Sequence, residues 1–244
     1  VRNGAGVKWS FRMATIAGIQ VRIHATFVLL LGLYALMAYL NGKESGGAAL
    51  VLDIAHKTIV FMLLLFLCIL LHEFGHAFAA RAFGIRTPDI TLLPIGGLAR
   101  LERMPTSPWQ EFIIAVAGPA VNVVIVAILF PFAGQISTWQ EIFQINLEAG
   151  GILTNLLKLN CVLIAFNMIP AFPMDGGRVL RALLATRMRH SLATLVAARV
   201  GQGIAALFVL ASFLSQGSPM LLIIGFFVFM GAQQELVFAR MRET

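Results

Sequence analysis

Residues 58–82 read TIVFMLLLFLCILLHEFGHAFAARA, an apolar run interrupted only near its end by His72, Glu73, His76 and Arg81. A bilayer core about 30 Å thick needs roughly 20 apolar helical residues to cross it, so the spacing predicts a membrane-spanning helix here. Ionisable side chains inside such a helix are costly unless they face protein or a wet cavity. Two imidazoles and a carboxylate within one turn therefore predict a polar interior at this point. Working outward, comparable apolar stretches lie at 23–40, 109–132, 152–172, 192–214 and 219–238. The expected fold is an all-α polytopic membrane protein with six transmembrane helices.

Composition agrees with that class. The chain has 244 residues, of which 59% are hydrophobic and 12% charged, and its mean hydropathy is +0.88. Soluble domains carry about 25% charged residues. The formal charge of +7 raises the question of nucleic acid, which the distribution of the charges answers in the negative. With the N-terminus inside, all but Lys43, Lys57 and Lys158 of the 18 Lys and Arg fall on the inner side. Cytoplasmic loops carry this excess, so both termini are expected in the cytoplasm, with the cell membrane and its anionic lipid as surroundings. Cys68 and Cys161 both fall in apolar stretches and read as buried free thiols.

Two segments read as strand. Ile19, Val21 and Ile23 alternate with Gln20, Arg22 and His24, and residues 85–105 hold short apolar pieces broken by Thr-Pro and Leu-Pro-Ile-Gly-Gly. A small membrane-associated β-sheet on the cytoplasmic side is expected from them. His24, His56 and His190 lack spacing to any partner motif and read as surface or interfacial residues.

His72 and His76 are four apart, which on a helix places both imidazoles on one face, able to grip one ion. Glu73 between them can act as general base on an attacking water. A catalytic zinc takes three protein ligands and keeps one open position. Asp175 is the expected third ligand. It closes the fourth apolar stretch and precedes Gly176 and Gly177, where the backbone can turn sharply. The site is expected within the bilayer, nearer its cytoplasmic face and open to water.

These residues resemble the site-2 proteases, a family of intramembrane zinc metalloproteases, and in particular its six-span archaeal and bacterial branch. The chain carries HExxH at His72–His76. It carries Asn-x-x-Pro-x-x-x-x-Asp-Gly at Asn167, Pro170, Asp175 and Gly176, and Gly-Pro-x-x-Asn at Gly118, Pro119 and Asn122. The resemblance covers essentially the whole of 1–244, expected to form one membrane-embedded metalloprotease domain with no PDZ insertion and no C-terminal CBS domain. It implies one Zn2+ per chain, held by His72, His76 and Asp175, with Glu73 as the base. It implies a transmembrane protein as substrate, cut in or near its membrane segment as part of regulated intramembrane proteolysis. Asn167 would hold substrate or the oxyanion, or bond across helices. Asn122 would contact substrate or serve packing, and Gly118-Pro119 would shape close helix contact. Gly96 and Gly97 either pair with an unwound substrate by strand addition or form a plain turn.

Two other classes fit part of this pattern. A metal-ion transporter also places His and Asp in membrane helices, but Glu73 between the ligands suits a hydrolase. A catalytically silent homologue that binds membrane proteins would not need every one of these positions intact.

Overall fold

In the computed structural model of the protein, the described residues are 9–44, 48–93, 96–133, 139–143, 151–215 and 217–241. Among them are seven α-helices and four β-strands. The strands are β1 (Ser10–Ile16), β2 (Ile19–His24), β3 (Asp89–Leu93) and β4 (Gly96–Arg100). The helices are α1 (Ala25–Glu44), α2 (Ala48–Ala82), α3 (Pro108–Leu129), α4 (Ile152–Asn167), α5 (Asp175–Ala185), α6 (His190–Leu214) and α7 (Pro219–Met241). Arg2, Lys8 and Arg242 of the charge pattern lie outside the described residues, as does most of 133–151.

Four segments are long and apolar enough to cross a membrane: Ala55–Ala82, Pro108–Phe132, His190–Leu214 and Pro219–Ala239. They make the chain an integral membrane protein. The expected stretch at 23–40 falls on α1. The stretch at 152–172 is shorter as helix than as apolar sequence. α4 stops at Asn167, after 16 residues, because Pro170 and Pro173 cannot continue its hydrogen-bond ladder. The segment at 41–57, expected as an outer loop, is mostly helix, and His56, Lys57 and Asp53 all lie on α2.

Contacts divide the chain into two compact units. The first takes in residues 1–103 and 120–163, the second 104–119 and 164–244. In the first unit the sheet runs in the order β1-β2-β3-β4. β1 and β2 form an antiparallel hairpin in register Ile16↔Ile19. The two loop residues, Ala17 and Gly18, have φ of 51° and 84°, the two positive values that a two-residue hairpin turn matched to strand twist requires. β2 then pairs parallel with β3, and β3 antiparallel with β4, which leaves β4 at the sheet's edge. Ile19, Val21, Ile90 and Leu92 on one face pack against Phe27 of α1 and Phe66, Phe74 and Ala77 of α2. A second cluster joins Phe61 and Cys68 of α2 to Leu156 of α4, with Ile125 and Leu129 of α3 against it.

The second unit is built on small residues. Ala193, Ala197, Ala198, Gly201 and Ala205 are all buried on α6. They let backbones approach closely, which is how helices associate where lipid tails remove the hydrophobic drive. Ala197 and Ala198 pack with Phe172, Ala232 and Leu236, and Ala205 packs with Ala171, Met174 and Val228. The segment between α4 and α5 is thus covered by α6 and α7. A Cβ on Gly231 of α7 would strike Pro173.

Candidate metal centre

The last third of α2 presents His72 and His76 one helical turn apart, both buried. Their Nε2 atoms face each other at 3.1 Å. Two nitrogens about 2.0–2.1 Å from one tetrahedral zinc stand about 3.3 Å apart, so the pair is already close to the separation that shared coordination demands. Glu73, the next residue along the helix, is also buried.

β4 runs beside this carboxylate. A Cβ built on Gly97 would overlap the Glu73 side chain. Only glycine lets the strand's backbone come that close. Gly96, at φ 138°, has a conformation that side-chain-bearing residues rarely adopt. On the other flank, Asn122 of α3 is fully buried. Its Oδ1 lies 2.9 Å from His72 Nδ1.

Asp175 does not end the fourth helix, as the apolar pattern suggested. After Asn167 the chain makes a tight turn, with Ala171 N–H donating to Ile169 and Met174 N–H to Ala171. The Phe172–Pro173 peptide is cis. Asp175 then opens α5, an 11-residue helix. A carboxylate in a first helical turn is favoured by the exposed N–H groups there. Gly176 and Gly177 make the turn possible, since a Cβ on either would collide with the backbone of Met168–Phe172. Asp175 is buried, with Arg178 at 3.8 Å. Asn167 is half-buried at the last position of α4.

His72 and His76 belong to the first unit and Asp175 to the second, and all three are buried. Two imidazoles and a carboxylate are a donor set that suits catalytic zinc.

Sequence reasoning missed a second polar cluster, in the second unit. Arg181 of α5 is 3% exposed. Its Nε donates to Glu111 Oε1 at 2.8 Å, and another guanidinium nitrogen donates to Glu235 Oε2 at 2.8 Å. His190 Nε2 lies 3.4 Å from the other oxygen of Glu111. A cavity of about 510 Å³ opens beside these residues, lined in part by Arg181, His190, Thr194 and Glu235. The basic residues of this stretch read as topology signals in the sequence. Yet Glu111 and Glu235 stand in apolar stretches of a chain with only 11 acidic residues. Carboxylates in such places are nearly always paired, and that was the available signal. Likewise Lys158, placed outside by the charge pattern, is buried on α4.

The family model for peptidase family M50 matches residues 60–149 and 132–211. A zinc metalloprotease of Methanocaldococcus jannaschii is 34% identical over 94% of this chain and 61% of its own length. A relative in Synechocystis is 32% identical over 96% of this chain and 62% of its own length. The chain therefore spans about three fifths of the length of these curated relatives. The solved site-2 protease of Methanocaldococcus jannaschii shares the fold with a TM-score of 0.63 and 33% identity, over 93% of this chain and 95% of that one. The matched span carries the paired histidines of α2, the Asn122 motif and Asp175 alike, and the chain belongs to peptidase family M50, the site-2 protease family.

Proposed function

We propose that this chain is an intramembrane zinc metalloendopeptidase that hydrolyses peptide bonds in or near the transmembrane segments of membrane proteins. The observation that carries this reading is the pair of buried imidazoles with Nε2 atoms 3.1 Å apart, on a helix that also buries Glu73 beside them. The names of the relatives agree with it. In this reading 1–244 works as one metalloprotease domain with six spans, both termini in the cytoplasm and the sheet on that side. The site lies within the bilayer nearer the same face.

His72, His76 and Asp175 would hold one zinc ion per chain. When bound, zinc supplies a Lewis acid that polarises a carbonyl and makes water nucleophilic near neutral pH. Glu73 takes the proton of the attacking water and returns it to the leaving amine. β4 is an edge strand to which an extended substrate would add by strand pairing, and Gly96 and Gly97 let that substrate approach Glu73. A helix hides its carbonyls in its own hydrogen bonds, so a membrane substrate must unwind before attack, and pairing with an edge strand replaces the bonds it loses. Asn167 would steady the scissile carbonyl.

The test is zinc content and cleavage of a single-span model substrate by the detergent-purified protein, compared with Glu73→Gln. Zinc near one per chain in both proteins, with cleavage in the wild type alone, is the expected result. Cleavage that survives Glu73→Gln would overturn the role of Glu73. Zinc-loaded wild-type protein that cleaves no membrane substrate would overturn the protease reading.

A further inference from the structure

A neutral imidazole has one N–H and one lone pair, and the hydrogen bond made by one ring nitrogen decides which nitrogen keeps the lone pair. His72 Nε2 faces His76 Nε2 at 3.1 Å. For both nitrogens to act as ligands, both must present lone pairs, so the proton of His72 must sit on Nδ1. The atom facing Nδ1 is Asn122 Oδ1, at 2.9 Å. An amide oxygen only accepts, so it stabilises this tautomer and penalises the other.

We propose that Asn122 is a positioning residue for the metal centre: its Oδ1 accepts the Nδ1–H of His72 and so holds the Nε2 lone pair toward the ion. This rests on the zinc-protease reading above and assigns Asn122 to the ligand rather than to substrate.

Two further observations carry the assignment. Asn122 is fully buried, and its Nδ2 has no hydrogen-bond partner. Burying an amide donor unsatisfied is unfavourable, and leucine would fill nearly the same volume without that cost. The oxygen is the part of the side chain with a partner, and the partner is a metal-ligating ring. Metal-bound histidines generally donate their second nitrogen to a carboxylate or carbonyl oxygen, which fixes ring orientation and raises ligand basicity.

The experiment measures zinc affinity by chelator competition in detergent, thermal unfolding of the zinc-free protein, and the split between kcat and KM for a single-span substrate. It compares wild type, Asn122→Leu and Asn122→Asp. Asn122→Leu is expected to weaken zinc binding about 10- to 100-fold, with zinc-free unfolding and KM unchanged. Asn122→Asp keeps an acceptor at the same position and is expected to bind zinc at least as tightly as wild type. Three results for Asn122→Leu would overturn the inference: zinc affinity within about twofold of wild type, a raised KM at unchanged zinc affinity, or lost zinc-free stability at unchanged zinc affinity. If Asn122→Leu does not fold, the aspartate variant decides alone, and a tenfold loss of zinc affinity in it refutes the role of Oδ1. Failure of the wild type itself to bind zinc would instead bring down the protease reading, and this inference with it.

Discussion

Arg181 offers the sharpest test of how the second unit is held together. One guanidinium joins α5 to α3 through Glu111 and to α7 through Glu235. The exposures set the magnitudes. Arg181 is 3% and Glu111 4% exposed at the side chain, whereas Glu235 is 28% exposed. Arg181→Met keeps most of the volume and leaves Glu111 buried without its closest partner, with His190 at 3.4 Å and the more distant charge of Arg178 as the remaining basic groups. Removing one member of a buried pair costs about 3–5 kcal/mol. Glu235→Gln leaves a neutral acceptor at a site that water reaches, so about 1 kcal/mol is expected there. Arg181→Met combined with Glu111→Leu replaces the buried pair by apolar groups, which is often neutral, so most of the single-mutant loss should return. Unfolding equilibria in mixed micelles, titrated with denaturing detergent, would read these three variants beside Glu111→Leu alone and the wild type. A coupling of about 2 kcal/mol or more between positions 111 and 181 is expected. A loss below about 1 kcal/mol for Arg181→Met, or additive effects in the pair, would refute the claim that this cluster is buried and mutually compensated.

Two more outcomes follow from glycine contacts. Gly97→Ala places a methyl group on the Glu73 side chain, so Glu73 or the strand must move. Misplacing a reacting group by about 1 Å costs about 100-fold in rate, and cleavage assays should show a loss of that order while zinc content stays at wild-type level. Gly177→Ala drives its methyl into the backbone of Ala171 and Phe172. Overpacking of this kind costs about 1–3 kcal/mol, which should show as a lowered Tm in detergent. An unchanged Tm would mean that the turn before α5 is looser than described.

The parts of the fold legible in sequence are those governed by distance along one element. The 58–82 run gave its helix because apolar length alone answers to bilayer thickness. Alternation at Ile19–His24 marked β2, and the broken apolar pieces of 85–105 marked β3 and β4. β1 escaped notice because its turn is Ala17-Gly18 rather than the Asn-Gly or Asp-Gly that signals such hairpins. α5 escaped because its arginines were counted as loop charges. Yet Val179, Leu180, Leu183 and Leu184 recur at helical spacing, a signal that was present and was outweighed by Gly176-Gly177.

The sequence by itself determined that this chain is a membrane protein, that it belongs with the site-2 proteases, and that His72 and His76 share a face. The last is a local fact, because the pitch of an α-helix brings positions four apart together wherever the helix lies. Tertiary structure alone decided that Asn122 meets His72 across 50 positions, that Gly97 lies against Glu73, and that Arg181 finds partners 70 and 54 positions away. The reason is physical. Helices apolar on every side carry no amphipathic stripe to say which face meets which neighbour. Their pairing is set by small-residue contacts and by the few polar groups that must find each other once water is gone.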